Sequence, residues 1–399
     1  MRIVHVMTRF IRGGADENTL LSCNAQASAG HDVILVYGAE YHPEMLSRLH
    51  PAVGCICLSS LVRPVRPLSD LRAIRDIRAI CRWNRPDIVH THTSKAGIVG
   101  RLGARWAGVP IIVHGVHILA FLNARGWRRA LYLAAERLVA PLTDAFVDVS
   151  DGMRTACVTH AIGDPGSHVV IPSGMDLRQF TEASPIGPDE FPDLLPPGLS
   201  SWDDAEIVLM AAAFEDRKRH IPLIAAFAEV AQARPNATLL LAGEGILQPA
   251  IEAAIRAHGL HDRVRIIGFR SDIARWMRRA DVCVFTSEQE GLPRVVVQYA
   301  LAGAPTVATS LPGIDVAVRD GRTGYLVETV PEVAEKLREL LADPARRDSF
   351  RRAAAALDFS RWAADSSALD LRRLYDRLYW QRRAHGPLPT SASVVRPLP

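Results

Sequence analysis

The chain has 399 residues, 48% of them hydrophobic and 23% charged, with a formal net charge of only +4. It is too long for one ordinary core and apolar enough for two, and so weak a charge implies no nucleic-acid partner. No apolar stretch reaches membrane-spanning length: the nearest, residues 109–122, is broken by His114, Gly115 and His117. Residues 1–8 read as a strand rather than a secretory leader. The six cysteines form no metal or redox motif, since only Cys55 and Cys57 lie close together, and they fit a reducing cytoplasm.

In chain order, residues 2–8 form the first predicted strand, followed by Arg12-Gly13-Gly14-Ala15, a helix over 18–30 and a strand over 32–37. This βαβ opening places a ligand crevice at the strand C-termini. It lacks the Gly-x-Gly-x-x-Gly spacing of a dinucleotide site, so Gly13-Gly14 offers either close backbone approach to a ligand or a plain turn. A strand over 55–58, a basic linker at 62–67, a helix to about Asn84 and a strand over 87–92 follow. That strand closes on His90-Thr-His92-Thr-Ser94-Lys95; a helix over 98–107, a strand over 111–113 and His114-Gly-Val-His117 come next. Four histidines in this region invite a metal reading, but they have no cysteine or carboxylate partner. Lining a crevice or satisfying a core are the alternatives.

Residues 125–138 read as a helix with arginines, Trp127, Leu131 and Leu138. It either docks on the sheet with a solvated side or rests on anionic lipid headgroups. Strands over 145–149 and 169–171 lead to Pro172-Ser-Gly-Met-Asp176, and the Pro-rich stretch 186–204 reads as the linker between domains. A second α/β series follows, with strands over 207–211, 238–242, 264–267, 282–285 and 306–308 and helices between them. The loop after its first strand carries Arg217 and Lys218, cations suited to a diphosphate. Gly268-Phe-Arg270 ends another strand. The stretch Thr286-Ser-Glu-Gln-Glu290-Gly291-Leu292-Pro293 turns from strand into helix, with Pro293 expected in its first turn and Gln298 about two turns inward. The final helix, 363–383, is read as packing, and 385–399 as a disordered tail.

The segment Ser287-x-x-Glu290-Gly291-Leu292-Pro293, with Gln298 and Gly303 beyond it, resembles the donor-sugar signature of glycosyltransferase family 4. The likeness runs over about residues 1–380, with several motifs in order. It implies an α/β GT-B fold: two Rossmann-like doubly wound domains, 1–185 and 205–362, facing each other across a crevice. The C-terminal helix, 363–384, would cross back to the N-domain, and closure would hinge near 186–204. The family usually has a second glutamate where this chain has Gln298, an arginine where it has Ala213 and a glycine where it has Arg219. Gly13, Gly14 and Ala15 match a Gly-Gly-Ala-Glu motif in which Asp16 replaces the glutamate, and His114-Gly115 matches a His-Gly pair.

The resemblance implies a retaining hexosyltransferase that uses a nucleotide-diphosphate sugar, UDP before GDP, and neither cofactor nor metal. The acceptor would be a saccharide or lipid-linked saccharide of cell-surface polysaccharide assembly, with a peripheral contact to anionic membrane. His114, Lys218 and Glu290 are the expected catalytic residues. Gly14, Arg217, Gly268, Arg270, Gly291, Leu292, Pro293 and Gln298 would bind donor, and Gly13, Asp16, His92, Ser94, Lys95 and His117 would lie on the acceptor side. A degenerate donor-binding subunit and a nucleotide-sugar 2-epimerase are the alternatives. Ala213 and Gln298 favour the first, whereas the second offers only Asp16 and Glu17 as N-domain carboxylates.

Overall fold

The structure is a computed structural model that describes residues 1–384 other than 188–189, 191–198, 200, 202–203, 292 and 312. In the first half the elements are β1 (Arg2–Met7), α1 (Gly14–Ser28), β2 (Asp32–Gly38), α2 (Pro43–Ser47), β3 (Gly54–Leu58), α3 (Pro67–Asn84) and β4 (Ile88–His92). They continue with α4 (Ser94–Ala107), β5 (Ile111–Val116), α5 (Gly126–Val139), β6 (Ala145–Asp148), α6 (Asp151–Thr159) and β7 (His168–Val170). Then come α7 (Arg178–Thr181), β8 (Glu206–Ala211), α8 (His220–Ala233), β9 (Ala237–Ala242), α9 (Gln248–Ala257), β10 (Val264–Gly268) and α10 (Ile273–Arg279). The last are β11 (Val282–Phe285), α11 (Arg294–Leu301), β12 (Thr306–Thr309), β13 (Gly324–Val327), α12 (Val330–Ala342), α13 (Pro344–Ala355) and α14 (Ala364–Ala384).

The chain divides into two compact units, Asp176–Phe359 and the remainder. The division falls at Met175, ahead of the Pro-rich stretch, because Met175 is tied back to the start of the last helix: its N–H donates to Trp362 O at 2.8 Å and its carbonyl accepts from Ala364 N at 3.0 Å. The expected boundary at 185 lies ten residues beyond this division; much of the expected linker 186–204 lies outside the described residues, as does the tail from 385.

In the first unit all strand pairs are parallel, in the order β3-β2-β1-β4-β5-β6-β7. Near-continuous apolar strands such as Asp32–Gly38 (DVILVYG) suit a sheet covered on both faces. Helices α3 and α4 cover one side through Ile74, Ile77, Ile80 and Val99. Helix α14 lays Leu371, Leu374 and Tyr375 on Ile3, Ile88, Ile111 and Val113. The second unit repeats the plan in the order β10-β9-β8-β11-β12-β13, again parallel throughout. Its core joins Leu239 and Leu241 of β9 to Phe227 of α8 and Leu337 of α12.

Three element bounds depart from expectation in ways that bear on the site. Helix α1 begins at Gly14 rather than 18, capped by an extended Gly13, and Asp16 and Glu17 in its first turn suit the positive end of the helix dipole. Helix α4 begins at Ser94 rather than 98, so Ser94 and Lys95 open a helix instead of lying on a loop. Strand β5 runs on to Val116, so His114-Gly115 is within it rather than just after it.

Candidate active site

In an open parallel sheet a ligand crevice opens where the strand order reverses, at the strand C-termini. In the second unit that point lies between β8 and β11. The loops leaving these two strands bring together Lys218 and Glu290, 72 residues apart in the chain. Lys218 Nζ donates to Glu290 Oε1, and Arg217 Nη1 donates to Glu290 Oε2 at 2.9 Å and to Gln289 O at 3.2 Å. Arg217 Nε holds Glu215 Oε2 at 3.0 Å. Thr286, buried, fixes the two loops to each other by donating from Oγ1 to Lys218 O at 2.8 Å.

Lys218 and Glu290 are each only 11% exposed at the side chain. Burial pushes the Glu290 carboxyl up, but the charges of Lys218 and Arg217 outweigh it and hold it below the usual range. Burial also pulls Lys218 below an ordinary lysine, while Glu290 works the other way. The cluster is ionised, with two cations on one carboxylate. A group carrying oxyanions can take over those cations, leaving Glu290 to accept hydrogen bonds from hydroxyls.

Arg219, next to Lys218, has φ 60° and ψ 38°, a left-handed conformation that disfavours a Cβ. It stands where the family pattern has glycine, and the geometry gives the reason for that glycine. Arg219→Gly is expected to stabilise the second unit by up to about 1 kcal/mol, offset in part by loss of its 3.1 Å pair with Glu288. Urea unfolding of the two proteins measures it.

The remaining donor-side residues are dispersed. Arg270 is paired with Asp272 at 2.8 and 2.9 Å and lies 5.0 Å over the Trp276 ring, so it is held on its own loop. Gly268 ends β10 with φ +69° and accepts from Gly243 N at 2.8 Å. Gly291 is buried beside Glu290, and Gln298 is half-buried on α11. Pro293 precedes α11 as its cap rather than sitting in the first turn, because the helix begins only at Arg294. Leu292 lies outside the described residues.

In the first unit the order reverses between β1 and β4. At the end of β1 a Cβ on Gly13 would meet Asp16 Oδ2 at 2.6 Å, so glycine is needed for the Asp16 carboxylate to fold over the start of α1. Gly14 is the first residue of that helix. Burial pushes Asp16 up to about 7, against the pull of the Arg9 charge and the backbone N–H of Ile11. Its folded pKa exceeds the unfolded one, so the folded state binds the extra proton between about pH 4 and 7 and stability falls as pH rises through that window. Asp16→Asn is expected to flatten this dependence and raise stability at about pH 8 by about 2–4 kcal/mol, read by urea denaturation at both ends of the window.

His114 on β5 is 3% exposed, its ring edge-on to Phe146. A Cβ on Gly97 would come within 2.4 Å of its Cε1, so a glycine on α4 makes room for the ring. Thr91 Oγ1 donates to Val113 O at 3.3 Å and lies 2.9 Å from His114 Nδ1, which sets Nδ1 as the protonated nitrogen and leaves Nε2 an acceptor. Burial drives this histidine well below the usual range, so it is neutral.

His92, at the end of β4, is buried and linked through Nδ1 to His117 Nε2 at 3.1 Å. Ser94 Oγ accepts from Ala120 N at 3.3 Å. Lys95 is paired with Asp70 at 2.5 Å and donates to Pro64 O at 3.1 Å, which anchors it to α3. Thr93, between His92 and Ser94, has φ 63° and ψ 160°, a conformation rare outside glycine. Residue type alone assigns no role to Thr91, Thr93, Glu215 or Thr286. Their roles arise from partners or backbone angles that residue type does not signal.

The fold is that of a GT-B glycosyltransferase. Two family descriptions match the chain: Glycosyl transferase 4-like domain over residues 13–174, and Glycosyl transferases group 1 over residues 205–343. A D-inositol 3-phosphate glycosyltransferase of Kineococcus radiotolerans is 30% identical over 311 residues, 71% of this chain and 70% of the relative. The UDP-Gal:alpha-D-GlcNAc-diphosphoundecaprenol alpha-1,3-galactosyltransferase of Escherichia coli is 26% identical over 336 residues, 82% of this chain and 84% of that one. Among solved structures, Anabaena Alr3699/HepE in complex with UDP and glucose superposes with a TM-score of 0.76 at 20% identity, covering 94% of this chain and 100% of that one. Sucrose-phosphate synthase from Thermosynechococcus elongatus gives 0.79 at 21% identity, covering 96% and 100%. The chain belongs to the GT4-type glycosyltransferases, enzymes of the hexosyltransferase class.

Proposed function

We propose that the chain is a retaining glycosyltransferase moving a hexose from a nucleotide-diphosphate sugar, UDP-linked first, to a hydroxyl of a saccharide or lipid-linked saccharide in cell-surface polysaccharide assembly. The observation that carries this reading is the buried cluster of Arg217 and Lys218 on Glu290. Bound diphosphate draws the two cations to its oxygens, and their charge stabilises the leaving group as the bond to the sugar breaks. Glu290, relieved of them, orients the sugar by its hydroxyls. Gln298 takes a ribose hydroxyl through its amide, and Gly14, opening α1, offers backbone N–H to phosphate. His114 accepts a hydrogen bond from a sugar hydroxyl at Nε2, and the leaving phosphate takes the proton of the attacking acceptor. These cations make a catalytic metal unnecessary. The Escherichia coli relative supports a UDP-sugar and a polyprenyl-diphosphate acceptor by what its name states.

Helix α5 supports a membrane-proximal acceptor. Trp127, Leu131 and Leu138, 71%, 48% and 76% exposed, fall on one stripe at helical spacing, with exposed Arg128 and Arg137 flanking it. Among the described residues no helix is long and apolar enough to cross a membrane. The test is incubation with UDP-hexoses and a polyprenyl-diphosphate-linked sugar, followed by NMR of the product's anomeric centre. Transfer with the donor's configuration kept is expected. Inversion, or donor left intact with every acceptor, contradicts the reading.

A further inference from the structure

Strands β1 and β4 are neighbours, with His5 in register with His90 and His92 two residues further along. All three imidazoles are at most 2% exposed. One ring nitrogen from each lies within 4.8 Å of the other two. His5 Nδ1 and His92 Nε2 are 2.9 Å apart, and His90 Nε2 is buried with no hydrogen-bond partner. We propose that His5, His90 and His92 form a three-imidazole site for a divalent transition-metal ion, with Zn2+ the expected occupant.

The surroundings fit such a site at each ligand. A histidine that binds a metal through one nitrogen donates its other N–H to an acceptor. Here His5 Nε2 faces Gln26 Oε1 at 2.8 Å, His92 Nδ1 faces His117 Nε2 at 3.1 Å, and His90 Nδ1 faces Tyr375 OH at 2.6 Å. Each outer nitrogen has an acceptor, so the inner proton that His5 Nδ1 and His92 Nε2 share in the ion-free state can move outward and leave the inner lone pairs for the ion. Gly115 keeps the approach open, since a Cβ there would stand 3.2 Å from His90 Nε2 and 2.9 Å from His92 Nδ1. An all-nitrogen set suits Zn2+, Ni2+ or Cu2+ and not Mg2+ or Ca2+.

A second buried cluster of ligand-type side chains among the described residues, Asp148, Cys157 and His168, differs from it. His168 donates from Nε2 to Ile162 O at 2.9 Å and pairs through Nδ1 with Asp148 at 2.8 Å, so it has no unpartnered ring nitrogen such as His90 Nε2. The ion at His5, His90 and His92 would pin β1 to β4 and, through Gln26 and Tyr375, to α1 and α14. Its ligands are not among the residues that the proposed transfer uses, so this proposal stands apart from the function proposed above.

The test uses the full chain without a polyhistidine tag, equilibrated with Zn2+, freed of excess by gel filtration and measured by atomic emission. About one ion per chain is expected, lost in His5→Gln and His90→Gln but kept in His261→Gln, whose histidine side chain is 72% exposed. X-ray absorption of the zinc-loaded wild type needs no variant and should show a shell of imidazole nitrogens at about 2.0–2.1 Å. No retained zinc, equal zinc in His90→Gln, or a sulfur at about 2.3 Å pointing to Cys157 would overturn the proposal.

Discussion

Lys218→Ala is expected to lower kcat/KM for transfer by about 10²–10³-fold, the usual loss when a buried charge stabiliser of the transition state is removed. Lys218 is the more deeply held of the two cations on Glu290, its side chain 11% exposed against 29% for Arg217. The loss should fall mainly on kcat if the lysine acts on charge that develops as the sugar leaves, and mainly on KM if it only binds ground-state diphosphate. The fold should survive, because Arg217 still neutralises Glu290 at 2.9 Å. Steady-state kinetics with donor varied separates these terms, and a loss smaller than tenfold would remove Lys218 from the machinery.

The largest stability effect is expected in the first unit, at the pair of Arg101 on α4 and Glu136 on α5. The guanidinium is fully buried and the carboxylate 3% exposed, with Nη2 to Oε2 at 2.5 Å. Arg101 also donates from Nε to Gly97 O at 2.7 Å, and Gly97 is the residue against the His114 ring. Glu136→Ala leaves a buried cation with no carboxylate and should cost about 3–5 kcal/mol. Arg101→Met with Glu136→Leu should recover most of that, since the pair's attraction largely offsets its desolvation. Hydrogen exchange of the α4 amides in the three proteins measures both effects. A single variant within about 1 kcal/mol of wild type would mean that water reaches the guanidinium.

The fold was legible because most of its strands are apolar runs between helical patterns. Residues 282–285 and 32–37 needed no tertiary information to read as strands. The starts of α1 and α4 were not, because Gly14 and Ser94-Lys95-Ala96-Gly97 carry loop chemistry, and the helices there are held by packing. Glu290 and Lys218 stood out by motif. Their ion pair did not, because sequence spacing says nothing of contacts 72 residues apart. The division at Met175 was not legible, because the backbone hydrogen bonds that tie Met175 to residues 362 and 364 join positions far apart in the chain. Arg219 could be seen as a missing glycine, whereas its left-handed backbone could be found only in three dimensions.

The central claim is that Lys218 and Arg217 hold the diphosphate while Glu290 holds the sugar. Calorimetric titration of UDP and of UDP-hexoses into wild type and Glu290→Ala tests it most directly. The account predicts that the variant still binds UDP but loses the added affinity that the matching hexose confers on wild type. A variant that keeps the full sugar increment, or a wild type that binds no nucleotide diphosphate, would contradict it.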